Sequence, residues 1–207
     1  LVGAGMAFLL RSNRLRMALL ISVAVFHLAL VISYWYQQPA ALLSGWIAVD
    51  ALGRVFLTLV SVLFVCAALY AIGYLQHEPQ RSNRVFVGCL LGFLAAMSLV
   101  TISQHLGLLW VAVEGTTLAS APLIYFHHSQ RSLEATWKYL LICSVGSALA
   151  LLGTFFVALA GSDHGGDQLS LLVSELISNA GRLHLPWLKG GFLFFLVGYG
   201  TKMGLAP

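Results

Sequence analysis

The sequence predicts an all-α integral membrane protein, a bundle of about seven transmembrane helices whose first and last members are truncated. Of its 207 residues, 59% are hydrophobic and 9% are charged, whereas soluble domains carry about 25% charged residues. Apolar stretches that could cross a hydrocarbon layer of about 30 Å also recur along the whole chain. An ordinary soluble domain is excluded, because so few polar side chains could not cover so large an apolar core.

Seven charge-poor stretches define the predicted spans. Residues 85–126 carry one charge, that of Glu114, and as a single helix they would reach about 63 Å, which no bilayer matches. We therefore divide this stretch at the polar residues Ser103, Gln104 and His105. The predicted spans cover about residues 1–10, 17–36, 52–75, 85–102, 106–126, 133–160 and 190–207.

The two ends of the sequence resemble cut ends. The chain begins at Leu1, without a Met and without the basic residues that open a signal peptide, and it stops at Pro207 inside an apolar stretch. We expect residues 1–207 to form a single transmembrane domain that is the first half of a longer subunit.

The basic residues are distributed unevenly between the loops. The 11 Lys and Arg residues against 7 acidic ones give a net charge of +4, but they form no basic stripe, which excludes nucleic acid as a partner. The first, third and fifth loops hold Arg11, Arg14, Arg16, Arg81, Arg84 and Arg131, while the second, fourth and sixth hold Arg54, Arg182 and Lys189. The positive-inside rule then predicts an inner (cytoplasmic) membrane protein with its odd loops in the cytoplasm and the start of the chain on the outer side.

The cysteines and histidines indicate no redox centre. Cys66, Cys89 and Cys143 are each isolated in an apolar run, unlike the clustered ligands of iron–sulfur sites, and no glycine-rich nucleotide motif follows a strand pattern. A haem-bearing subunit would place paired histidines on facing spans, whereas only His27 lies deep in a span. We predict no metal, no cofactor and no catalytic site within this chain.

Glu114 lies at the middle of the fifth predicted span. A charge at that depth costs about 2.5 to 3.5 kcal/mol on insertion scales, so it should face a partner or a wet cavity. The alternative is a protonated, hydrogen-bonded carboxyl that only ties helices together. In the same span, Pro122 leaves the carbonyl of Leu118 without its helical donor, which offers a further polar group at membrane depth.

Lys138 lies five residues into the sixth span and follows Glu134 by four positions, the favourable order for an intrahelical ion pair. Two interpretations remain open for it. The aliphatic stem of a lysine can extend towards the headgroups, which favours an interfacial anchor. A place on a proton path is the other interpretation.

Lys202 stands about a dozen residues into the seventh apolar stretch, among several helix-breaking residues. Such a pattern predicts a discontinuous helix, which at membrane depth lines a cavity or an ion site. The alternative is a close helix contact of the small-xxx-small type. The residues of the predicted break are Gly198, Gly200, Gly204 and Pro207.

Three histidines lie at the ends of predicted spans: His105, His127 and His128. One interpretation is that they are polar residues of the membrane interface. The other is a proton relay, because an imidazole titrates near pH ~6.5.

Several blocks of the sequence are similar to one known family. Residues 110–120, which contain Glu114, and residues 132–146, which contain Lys138, resemble the antiporter-like membrane subunits of respiratory complex I, Mrp antiporters and membrane-bound hydrogenases. The likeness is greatest to the hydrogenase-4 component F branch. Residues 200–207 resemble the family's seventh-helix lysine motif, and residues 46–53 resemble the approach to its third helix.

The resemblance implies a proton-translocating function. Glu114 would be the family's fifth-helix glutamate and Lys202 its seventh-helix lysine, together forming a proton half-channel, while Lys138 matches a sixth-helix lysine of some branches. Partner membrane subunits of a complex-I-like or group 4 nickel–iron hydrogenase assembly would carry the redox chemistry. A subunit of an Mrp-type cation/proton antiporter is the alternative, and a structural anchor, for which Glu114 and Lys202 would be dispensable, is a third.

Overall fold

A computed structural model describes residues 1–37, 39–76, 83–162 and 170–205. Within these ranges the chain folds into α-helices and two single-turn 3-10 helices, Tyr125–His127 and Ala180–Arg182. The α-helices are α1 (Val2–Leu9), α2 (Asn13–Tyr36), α3 (Ala51–Gln76), α4 (Asn83–Ile102), α5 (Leu106–Ile124), α6 (Gln130–Ser162), α7 (Val173–Ser178) and α8 (Leu185–Met203).

Five of the described helical segments are long and apolar enough to cross a membrane: α2, α3, α4, the segment Leu106–His127 that begins with α5, and α6. Of the other two segments predicted to span, α1 has 8 residues and α8 has 19, with Lys189 and Lys202 lowering the hydropathy of α8. The predicted all-α, multi-pass membrane fold is confirmed. Its helices follow from the absence of water in the bilayer, where a helix satisfies its own backbone hydrogen bonds.

The break predicted at Ser103–His105 is present, since α4 ends at Ile102 and α5 begins at Leu106. Backbone groups of other segments accept or supply the hydrogen bonds that the break leaves open. The amide of Gln104 donates to the carbonyl of Trp46 at 2.8 Å, and its own carbonyl accepts from the amide of Val173 at 2.9 Å. The break is therefore hydrogen-bonded to the loop that contains Trp46 and to the first residue of α7.

Helix α8 corrects the predicted position of the helix break. It begins at Leu185, five residues before the predicted start, because Pro186 suits the first turn of a helix. Gly198 and Gly200 lie inside its regular course and interrupt nothing, while Gly204 ends the described helix in a left-handed conformation with φ +78°. Pro207 lies outside the described residues.

The described residues group into two compact units. The first comprises Leu1–Ala40, Val49–Ile102 and Gly115–Thr136. Its helices α1 to α4 pack on one another around a buried apolar cluster that includes Leu20, Leu75 and Val87. Gly88 of α4 packs against the ring of Phe8, where a larger side chain would collide with that ring.

The second unit comprises Ala41–Ala48, Ser103–Glu114 and Trp137–Pro207. Glycines seven residues apart on α6 and on α8 meet in two antiparallel pairs, Gly146 with Gly198 and Gly153 with Gly191. A methyl group added at Gly198 would lie 2.7 Å from the carbonyl oxygen of Gly146, and one added at Gly153 would lie 3.0 Å from that of Gly191. The two backbones are therefore close enough that any side chain at these positions would separate them.

The Gly198 contact predicts a site-specific effect of a single methyl group. Gly198→Ala should lower the free energy of unfolding by about 1–3 kcal/mol through overpacking. Gly73→Ala is the matched control, because the added methyl at that helical position has no atom within 4 Å, and alanine should stabilise that helix by about 0.5–1 kcal/mol. Denaturation of the two variants in detergent, followed by circular dichroism, measures both effects. Equal responses would contradict a close helix contact at Gly198.

Candidate functional site

Glu114 is a half-buried residue of α5 with one fully enclosed carboxyl oxygen. Its Oε2 has no hydrogen-bond partner among the described residues. An enclosed acceptor without a partner costs about 1–3 kcal/mol, more if charged, so a hydrogen-bond donor brought to this oxygen would be stabilising.

The face of α5 that carries Glu114 is fixed to α6. Trp110 lies one turn before Glu114, on the same side of the helix. Its indole Nε1 donates a hydrogen bond of 2.7 Å to the carbonyl oxygen of Ser147. The depth of Glu114 along α6 is set by this bond.

Lys202 lies in the last turn of α8, where a positive charge complements the carbonyl end of the helix dipole. It is half-buried, and its Nζ lies 5.8 Å from the ring centroid of Tyr139 on α6. This cation–π contact holds the ammonium group at the α6 surface. Beside it, the hydroxyl of Thr201 donates to the carbonyl of Gly198 at 2.8 Å.

Helix register brings Glu114 and Lys202 to one height. Counting from the Trp110–Ser147 bond along antiparallel helices, Glu114 lies level with about Cys143 of α6. Counting from the Gly146–Gly198 pair, Lys202 lies level with about residue 142. The two residues therefore flank α6 at the same depth.

Lys138 is not at that depth. It is an exposed residue of α6, and its position lies about 6–8 Å along the helix axis from the level of Glu114 and Lys202. Both the anchor and the proton-path interpretations stay open for it, since Tyr139, which contacts Lys202, is its direct neighbour in the chain.

His105 acts as a cap for α5. Its Nδ1 accepts the amide protons of Gly107 at 3.2 Å and Leu108 at 3.4 Å, and its ring stacks on Trp46 with centroids 4.0 Å apart. Burial lowers the pKa of His105 below its ordinary value. Because Nδ1 accepts two hydrogen bonds, it carries no proton, and the imidazole in this geometry is neutral. These contacts support the interpretation of His105 as a structural residue.

His127 and His128 lie at the end of the fifth predicted span, in the first unit. The Nε2 of His127 is 2.9 Å from the hydroxyl of Tyr74. His128 is exposed, has φ 49°, and places its ring edge-on to Tyr125 at 4.5 Å. His105, the third histidine of the predicted relay, belongs to the second unit.

The contacts of Trp110 and Tyr139 were absent from the sequence prediction of the site. The signal for Tyr139 was its place beside Lys138 in the polar start of α6, but its contact with Lys202 joins positions 63 residues apart. Among the described residues, no group of three or more His, Cys, Asp or Glu side chains could hold a metal ion.

The cap formed by His105 predicts a pH-dependent stability. Folding lowers the pKa of His105, so the neutral ring stabilises the folded state fully at pH values above its ordinary pKa. This stabilisation is lost as the pH falls towards the pKa of the folded state. His105→Ala should cost about 0.5–2 kcal/mol at neutral pH. His105→Asn retains a cap acceptor and should flatten the dependence of the melting temperature on pH. The control is His128→Asn, which keeps a residue suited to φ 49° and should leave the pH dependence as it is.

Comparisons with known proteins agree with the sequence motifs. The family model described as NADH:quinone oxidoreductase/Mrp antiporter, transmembrane, matches residues 103–207. A hydrogenase-4 component F homologue from Methylacidiphilum infernorum (isolate V4) is 35% identical over 166 residues, which are 77% of this chain and 35% of the relative. The chain thus spans about a third of the length of that relative.

Two solved structures share the fold. One is a chain of the membrane-bound sulfane sulfur reductase, an archaeal respiratory membrane complex, with a TM-score of 0.82 at 14% identity over 96% of this chain and 42% of that one. The other is a chain of respiratory complex I from Thermus thermophilus with bound aureothin, with a TM-score of 0.76 at 22% identity over the same shares. Because the family model covers just over half of the sequence, including Glu114, Lys138 and Lys202, the chain belongs to the family of NADH:quinone oxidoreductase and Mrp antiporter membrane subunits.

Proposed function

We propose that this chain forms a proton half-channel in an antiporter-like subunit of a complex-I-like or group 4 nickel–iron hydrogenase assembly, of the hydrogenase-4 or formate hydrogenlyase type. Redox chemistry takes place in partner subunits and drives protons through Glu114 and Lys202, with Lys138 about one helical turn away along α6. The observation that carries the proposal is the enclosed Oε2 of Glu114, which lies at the depth of Lys202. The likeness to a hydrogenase-4 component F homologue supports the choice of assembly.

Electrostatic coupling between the two groups supplies the mechanism. If Glu114 and Lys202 come within about 7 Å of each other, they attract by roughly 2.4 kcal/mol at an effective dielectric near 20, which is a factor of roughly 50 in an equilibrium constant. Separating them would then favour release of a proton from Lys202 Nζ to water and uptake of a proton from water by Glu114 Oε2. A partner that favours one arrangement over the other can impose that change.

The assembly lies in the inner (cytoplasmic) membrane in this proposal, with the odd loops in the cytoplasm and the start of the chain outside. The larger number of basic residues in the odd loops supports this orientation, and the described Arg84 and Arg131 lie at the starts of α4 and α6. The chain meets the lipid bilayer through exposed apolar side chains such as Phe26, Leu63 and Val145. Neighbouring membrane subunits would cover part of this surface.

The half-channel predicts loss of transport on neutral substitution. Glu114→Gln keeps the shape of the side chain, and Lys202→Ala removes the ammonium; each should reduce coupled proton movement by about tenfold or more, given the roughly 2.4 kcal/mol at stake. The measurement is dye quenching in inverted membrane vesicles that contain the intact subunit in its complex. Native gel electrophoresis should show unchanged assembly.

Matched controls distinguish loss of Glu114 or Lys202 from the effect of removing a charge elsewhere in the chain. Glu175→Gln changes an acid of α7, and Lys189→Ala a lysine in the first turns of α8; both should pump at the unmodified rate. Normal pumping by the Glu114 and Lys202 variants would leave the chain with an anchoring function and refute the half-channel.

Lys138→Ala should lower proton movement less than Lys202→Ala, because Lys138 is exposed and lies about one helical turn from the depth of Glu114. The same vesicle assay measures both variants. An equal loss would assign Lys138 to the proton path and would exclude its interpretation as an interfacial anchor.

The second candidate is a subunit of an Mrp-type cation/proton antiporter, which the description of the matching family also includes. The two functions differ in their driving force. Under the proposed function, proton movement follows the redox substrate and is indifferent to sodium. A sodium gradient that drives protons in vesicles without any redox substrate would instead identify an antiporter.

A further inference from the structure

His27 forms a hydrogen-bonded group outside the Glu114 and Lys202 site. It lies 14 residues after the start of α2 and 9 before its end, so it is deep in the span. Its Nδ1 is 2.8 Å from the hydroxyl oxygen of Ser61 on α3, and its Nε2 is 2.9 Å from that of Ser98 on α4. One imidazole therefore joins three membrane-spanning helices through both of its nitrogens.

The two serines have a second set of partners. The hydroxyl of Ser61 also donates to the carbonyl oxygen of Leu57 at 2.7 Å, and that of Ser98 to the carbonyl oxygen of Leu94 at 2.8 Å. A hydroxyl has one proton, so when both protons point to the carbonyls, both ring nitrogens must donate. That state is the imidazolium ion. Rotation of either hydroxyl towards the ring provides the donor that a neutral tautomer needs.

The group can thus hold the imidazole in either protonation state without moving a heavy atom. A purely structural contact has no need of this property, because a single fixed tautomer would join the helices equally well. The carbonyls of Leu57 and Leu94 belong to regular helix and keep their backbone partners when a serine turns away. Changing the protonation state therefore costs no backbone hydrogen bond.

A cavity of about 150 Å³ adjoins the ring on one side. Its lining includes His27, Ser98, Gly3, Val23 and Ala95. A water molecule occupies about 30 Å³ in the liquid, so this space suits a few waters beside a polar ring edge. Ser61 is only 2% exposed, which closes the opposite side. Proton access is consequently one-sided, through Ser98.

Within the described residues, no charged side chain of α1 to α4 lies near the group, although Leu1, the first residue, lines the same cavity. Helix α1 has no ionisable side chain, and the charged residues of α2, α3 and α4 are Arg14, Arg16, Arg54 and Arg84, all among the first four residues of their helices. The other titratable groups nearest to the group along these helices are Tyr34, Cys66 and Cys89, each at least one turn away in sequence. The protonation state of the ring is therefore decided by the serines and the cavity.

We propose that His27, Ser61 and Ser98 form a second proton-binding site, which exchanges its proton with the cavity beside Ser98. The ligand is a proton delivered by water. The site is built from α2, α3 and α4 alone, so it stands whether or not Glu114 and Lys202 conduct protons.

Nitrogen-15 NMR of the intact subunit, labelled at histidine and reconstituted in lipid, tests the site. Two protonated ring nitrogens should be observed for His27 at about pH 5, and one protonated with one bare nitrogen at about pH 9. His27→Gln identifies the signals by difference. Ser61→Ala and Ser98→Ala each remove one partner of His27 and keep its ring. Each should reduce the doubly protonated fraction of His27 at a given pH.

Ser33→Ala is the matched control. Its hydroxyl makes the same kind of bond to a helix carbonyl, that of Leu30, on the exposed side of α2. This variant should leave the His27 signals unchanged. One neutral tautomer throughout the pH range would overturn the proposal and leave a structural contact.

Ala95→Leu tests the access route. The larger side chain would take up part of the cavity, so magnetisation transfer from water to the ring N–H should fall severalfold. The His27 signals of this variant at pH 5 and pH 9 check that both serine bonds remain. Undiminished transfer would refute access from the Ser98 side. Proton pumping through Glu114 and Lys202 is measured separately in vesicles, so failure of either proposal is distinguishable from failure of the other.

Discussion

The fold depends on one constraint, which is that a backbone in lipid must satisfy its own hydrogen bonds. Continuous helices meet it directly, and the described chain is built almost wholly from them. Where the chain departs from a helix, backbone groups of other segments supply the hydrogen bonds. The backbone of Gln104, between α4 and α5, bonds to that of Trp46 and to that of Val173. His105 adds a ring nitrogen to the same task at the start of α5. The backbone of Gln104 is thus fully bonded within the polar interruption, while the enclosed hydroxyl of Ser103 has no partner among the described residues.

Two consequences of this constraint shape the site. Helices that need no help from neighbours can pack through their smallest residues, and α6 and α8 do so at paired glycines. Few polar side chains are then needed for packing, and those within the spans lie at particular depths. Glu114 carries one enclosed oxygen, Lys202 is held at an aromatic ring of α6, and His27 is bonded at both nitrogens. Each sits where an unsupported charge would be costly.

Much of this was predictable from the sequence, and the reasons for the remainder are physical. Long apolar stretches fix the spans, and isolated charges such as Glu114 and Lys202 stand out within them. Glycine is ambiguous, because the same residue breaks a helix or admits a neighbouring one, and Gly198 and Gly200 proved to lie in regular helix. Contacts between distant positions have no local signal: Ser61 and Ser98 lie 34 and 71 residues from His27.

The paired glycines of α6 and α8 also restrict how the site can move. Gly146 and Gly153 of α6 meet Gly198 and Gly191 of α8 at equal spacing. The two close contacts fix the register of one helix against the other. A slip of one turn, about 5.4 Å, would set the larger Phe194 or Lys202 against Gly146, where the side chain of Thr201 already packs. Such a slip would meet steric resistance. In the proposed function, a change at Lys202 therefore comes more readily from rotation of its side chain or from the water around it than from sliding of α8.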